Sequence, residues 1–202
     1  MDEAAILQDS MSHVRRCNMD PYGLHGVAHW WRVRHNGLLV AEQTRISVSV
    51  VKLFALIHDA FREDDEEDPE HGPRASKWLR ELRGERPTIC EVVSQSSRDA
   101  IMALSSQEFE ALATACEFHS DPKFRPNCPC VATCLAADRL DLRRVGYIPD
   151  AERMFVGSHI TTKAVIDAAM QRSLSGLSWE SSDHFLQAWG IDIASIPCRN
   201  GH

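Results

Sequence analysis

Residues 50–62 read VVKLFALIHDAFR, an almost wholly apolar run leading straight into the adjacent pair His58-Asp59. Val51, Phe54, Ala55 and Phe61 give a wide apolar face at helical spacing, so a helix over 48–63 is expected at the centre of the fold. The overlapping stretch ISVSVV at 46–51 alternates like a strand, but the helical stripe continues through it and the helix is preferred. His58 and Asp59 then lie on or just past a buried helix end. A carboxylate there needs a partner, because an unpaired buried charge is costly enough to neutralise itself. A divalent cation satisfies both the carboxylate and the neighbouring imidazole.

Outward from this run the chain reads as further helices. Asp2 caps a first one that reaches about residue 17, and Pro21 and Gly23 break the chain after it. A second helix spans 26–44, with Val27, Trp31, Leu38 and Ala41 on one stripe. Helices are also expected over 72–82, stopped by Gly84, and over 106–119, opened by the capping-box pair Ser105 and Glu108. Pro87 stands where another helix can begin. The loop SDPKFRPNCPC leads into a helix over 131–145 that Gly146 terminates, and shorter helices follow over 150–156, 163–174 and 179–189. The expected fold is all-α and a single domain: an N-terminal helix and loop (1–24), a core (25–146) and C-terminal helices packed on it (147–202).

Composition narrows the function. With 202 residues, 44% hydrophobic and 25% charged, the chain can fold without staples. The net charge of −7 argues against stable nucleic-acid binding. The first residues lack a secretion signal and no apolar run suits a membrane span, so a cytoplasmic protein with reduced cysteines is expected. Seven of the eight residues over 63–70 are acidic, which reads as a solvated loop. Cys128, Cys130 and Cys134 do not have the usual zinc spacing. The five tryptophans read mainly as core, with one able to stack on a base.

Six residues fall where the helical reading brings segments toward one interior: His29, His58, Asp59, His71, His119 and Asp138. Imidazoles and carboxylates without a required thiolate suit one or two divalent transition-metal ions such as Mn, Fe, Co, Ni or Zn. His25, four residues before His29, is a candidate to bind phosphate or to orient a ligand. Arg62, Arg32, Arg74 and Arg139 lie near the candidate ligands, where paired donors can neutralise phosphate oxygens.

The order HWWRV, LFALIHD, AADRL resembles the H…HD…D signature of the HD-domain superfamily of metal-dependent phosphohydrolases, spanning residues 29–138. HGVAHWWRVRHNG and DPEHGPRASKWL are similar to features of a bacterial branch of uncharacterised HD proteins. The resemblance implies that His71 and His119 occupy the places of the extra histidines of two-metal members. It also implies that Asp59 bridges two ions and that metal-activated water hydrolyses a small phosphoester, a nucleotide being one candidate. It departs at Arg62, where some HD nucleotidases carry an acidic residue. The same ligand set also resembles the mixed-valence di-iron HD oxygenases. A non-catalytic metal-binding or regulatory module is the third reading.

Overall fold

A computed structural model describes residues 1–84, 93–175 and 186–190. Among them there is no strand, and eight α-helices form one body: α1 (Glu3–Arg16), α2 (Val27–Thr44), α3 (Val48–Ile57), α4 (His71–Arg83), α5 (Gln95–Met102), α6 (Ser106–Phe118), α7 (Pro129–Arg139) and α8 (Lys163–Ser175).

The all-α expectation holds, and α3 is its centre. Val50, Val51 and every residue from Leu53 to Ile57 are buried, because α1, α2, α6 and α7 all pack around this helix. A helix apolar on all sides has no solvent face to offer, which is why the run at 50–57 carries only Lys52 as a charge. Gly37 lets α2 cross α3 closely: a Cβ there would stand 2.4 Å from Val51 Cγ1 and 3.1 Å from Ala137 Cβ of α7. A smaller apolar cluster of Val40, Ala136, Leu140, Met154, Ile160 and Ala169 seats α8 against α2 and α7.

The end signals act as the sequence indicates. Asp2 accepts from the Ala5 N–H, and Ser105 with Glu108 forms the reciprocal capping box of α6. Three expected helices are shorter. α3 stops at Ile57, so His58 caps it and Asp59 lies beyond it. α7 ends at Arg139, and after Leu140 and Asp141 a 3-10 turn (Leu142–Val145) runs to Gly146, which has φ of 90°. Over 150–156 only the 3-10 turn Ala151–Arg153 forms. α5 is an additional helix, while Pro87 and most of the expected helix over 179–189 lie outside the described residues.

Among the described residues, no helix is long and apolar enough to cross a membrane.

Candidate metal centre

The six candidate ligands sit at helix ends that point to one place. His29 is in the first turn of α2 and His58 caps α3, with Asp59 following it. His71 opens α4, His119 caps α6, and Asp138 lies in the last turn of α7. Two of these imidazoles bond to carbonyls in the last turns of their helices. His58 Nδ1–H donates to Phe54 O (3.0 Å), and His119 Nδ1–H to Cys116 O (2.8 Å). His29 Nδ1–H donates to Asp141 Oδ2 (2.7 Å), and His71 Nδ1–H to Asp68 O. A ring that donates through Nδ1 presents the lone pair of Nε2, the pattern in which imidazoles serve as metal ligands.

All four Nε2 atoms turn inward, in two sets. His29 Nε2 is 3.1 Å from His58 Nε2, 3.4 Å from Asp138 Oδ1 and 3.3 Å from Asp59 Oδ2. On the other side of the same carboxylate, Asp59 Oδ1 is 3.2 Å from His71 Nε2 and 3.3 Å from His119 Nε2, which are 2.8 Å apart. Donor atoms about 2.1 Å from a common ion stand about 3.0 Å apart at octahedral angles and about 3.4 Å at tetrahedral ones. The residues present therefore fit a bound cation. His58, Asp59 and His119 also lie close enough to share an ion. His71 Nε2 is closer than His58 Nε2 to Asp59 and touches His119, so the second set is Asp59, His71 and His119.

The electrostatics agree. Burial raises the Asp59 carboxyl, but His58, His119, His25 and His29 outweigh it and hold the group well below the usual carboxylate range. Asp138 is likewise held low against burial by the His29 hydrogen bond and the charges around it. Burial presses His58 down to about 3. Burial and Arg144 also oppose charge on His29, yet its bonds to Asp138, Asp141 and Asp59 raise it to about 9. Two permanent anions among converging imidazoles, with Arg62 and Arg144 at 3.8–4.0 Å, are an environment for further positive charge.

Gly72 makes the second set possible. Its missing Cβ would lie 2.6 Å from Cys116 O and 2.8 Å from Glu117 O, so the start of α4 rests directly on the last turn of α6. That contact brings His71 onto His119.

His25 precedes α2 rather than sharing its face, but still reaches the centre, with Nδ1 3.1 Å from Asp59 Oδ2. Arg62 is buried, with Nη1 3.8 Å from Asp59 Oδ1. It donates to the carbonyls of Asp64 (3.1 Å) and Glu66 (3.2 Å), and so pins the acidic loop by its backbone. Arg74 donates to Phe61 O (3.0 Å) and pairs with Asp68. Arg32 donates to Asp141 Oδ1 (2.7 Å) from the interior. Neither Arg32 nor Arg74 lines the cleft above the centre, whereas Arg62 and Arg139 do.

That cleft, of about 1090 Å³, has Asp59, His71, His119 and Asp138 on its floor. It is also lined by the exposed acidic residues Asp65, Glu66 and Glu67 and by Arg125, Arg139, Arg144 and Arg153.

Two residues of the centre were not among the candidates. Asp141, fully buried, binds His29, Arg32 and Ser173 Oγ (2.6 Å). Arg144 lies 3.8 Å from Asp59, 4.0 Å from Asp138 and 3.9 Å from Asp141, and donates to Leu24 O.

Fold and site together define an all-helical protein with a buried His/Asp cluster able to hold a metal ion, compatible with an HD-domain fold. Compared with protein-family models, curated proteins and solved structures, the chain matches none.

Proposed function

We propose that this protein is an HD-type metal-dependent phosphohydrolase acting on a small phosphoester. The observation that carries the reading is the division of the Asp59 carboxylate between two sets of convergent imidazoles beneath an arginine-lined cleft. Asp59 Oδ2 with His29, His58 and Asp138 would hold one divalent transition-metal ion, and Asp59 Oδ1 with His71 and His119 a second. The order of these donors along the chain is that of the HD signature. Such ions supply Lewis acidity and lower the pKa of water toward neutrality, which a phosphoester, among the slowest bonds to hydrolyse unaided, requires.

The chain's own groups do the rest. Arg144 and Arg62 face the cleft beside the anions of the centre, where their positive charge can neutralise phosphate oxygens. His25, held below its ordinary pKa first by burial, is neutral near pH 7 and lines the cleft, so it can hold or pass a proton.

The test is elemental analysis of protein purified without added metal, combined with a screen of small phosphoesters. About two transition-metal ions per chain and phosphate release are expected. Two irons per chain with no phosphate release would replace this reading by the di-iron oxygenase. No metal at all would leave a non-catalytic module.

A further inference from the structure

Arg125 and Arg139 are cations that the phosphoester site does not use. They flank one ring: their Cζ atoms lie 5.3 Å and 5.2 Å from the centroid of Phe155. Among the described residues neither forms an ion pair. Arg125 donates to the carbonyls of Pro122 (2.9 Å) and Phe124 (3.0 Å), and Arg139 to that of Arg153. Arg125, Arg139 and Arg153 line the same cleft; Arg153 pairs with Asp150 (3.8 Å), which leaves Arg125 and Arg139 as the two without a carboxylate partner among the described residues. Like charges held together in a concave, partly desolvated wall are stabilised by an anion.

Phe155 adds a second observation. It holds φ of 59°, a left-handed conformation that a bulky residue adopts at a cost, and its ring lines the cleft between the two arginines. Backbone strain of this kind persists where the surroundings fix it, and it is concentrated at ligand sites. The ring keeps the guanidinium planes in place without neutralising them. The volume points the same way, because a cleft of about 1090 Å³ is far larger than one phosphate group.

We infer that Arg125 and Arg139, braced on Phe155, form a second anion subsite that takes a further phosphate or carboxylate group of the same small substrate. The substrate is then doubly anionic, with its reacting phosphate at the metal centre and its second anionic group at Arg125 and Arg139. This rests on the hydrolase reading for the identity of the first group only.

The test is calorimetric binding of three non-hydrolysable probes to the metal-loaded protein: butylphosphonate, butane-1,4-bisphosphonate and 5-phosphonopentanoate. All three have one phosphonate for the centre, and two have a second anion at the far end. A charge-assisted pair of contacts gives at least one doubly anionic probe about a ten- to hundredfold advantage over butylphosphonate. Preference between the two probes tells phosphate from carboxylate. In Arg125→Gln/Arg139→Gln the ratio collapses toward one, with helicity and metal content as in the parent. Arg125→Gln alone, at an exposed loop residue, narrows the ratio and serves if the double variant loses structure. A ratio near one in the parent protein, or a ratio that survives in the variants, overturns the subsite. The hydrolase reading is judged separately, by whether butylphosphonate binding requires the metal.

Discussion

Asp141 accepts the Nδ1 proton of His29 and the Nε proton of Arg32, each at 2.7 Å, and has no solvent contact. It fixes which nitrogen of His29 faces the cation and increases that ring's basicity, as carboxylates behind metal-binding imidazoles do. Asp141→Asn is therefore expected to weaken metal binding about 10- to 100-fold, measured by chelator competition, because the amide keeps the shape but loses the charge. Unchanged affinity would assign Asp141 to the Arg32 pair alone. Asp59→Ala goes further. Its two oxygens serve both donor sets, so bound metal should fall close to zero and activity with it, while circular dichroism keeps the helical signal. Full activity in that variant would remove the metal assignment. Asp59 was legible in the sequence because a charge abutting the apolar run at 50–57 has to be explained. Asp141 and Arg144 were not, since in DRLDLRR a continuing helix would distribute these charges around its surface. The helix instead ends at Arg139, and the turn that follows brings both side chains inward.

The helices place the ligands through their ends, so the elements most sensitive to change are the contacts between termini. Gly72→Ala puts a methyl group against the carbonyls of Cys116 and Glu117, and backbone oxygens in the last turn of α6 cannot swing aside. α4 has to retreat, at about 1–3 kcal/mol by analogy with overpacked cores, and His71 moves away from His119. The expected outcome is a lower melting temperature and a fall in bound metal from about two ions toward one, because His29, His58 and Asp138 lie on α2, α3 and α7. An unaltered metal content would show that α4 is free to shift without disturbing the second set. Helix type and order were readable from apolar periodicity and caps, but α5 was not. QSSRDAIM buries only Ser97 and Ile101 and has no stripe to read. What holds it is tertiary: Asp9 of α1 accepts from Ser94 and Ser97. The end of α3 was misplaced because periodicity continues past the point where His58 caps the helix, and that of α7 because the apolar residues Leu140, Leu142 and Val145 continue into a 3-10 turn.

Across the whole molecule, α1 lies away from the donor set, packed on α3 and α5, and its first turn is tied down by one carboxylate. Glu3 pairs with Arg34 of α2 and Lys52 of α3 (2.7 Å), and it accepts from Trp189 Nε1 (3.2 Å) near the end of the chain. Burial raises the Glu3 carboxyl, but the hydrogen bonds and charges of Arg34 and Lys52 prevail and hold it at about 2, against an ordinary value of 4.5. The folded protein therefore prefers Glu3 ionised more strongly than the unfolded chain does. The stability this confers is complete above pH 4.5 and is lost as the pH falls through about 2. Glu3→Gln should be less stable at pH 7 by about 1–3 kcal/mol, the range for hydrogen bonds to a charged group. The difference should narrow through pH 4 and nearly vanish near pH 2, where the parent's own carboxyl is half neutral. Urea unfolding across that range measures the gap without the salt that guanidinium would add, and metal content at pH 7 should be untouched because α1 contributes no ligand. A gap that stays constant with pH would mean that Glu3 contributes packing rather than charge, and that Arg34 and Lys52 find water as good a partner.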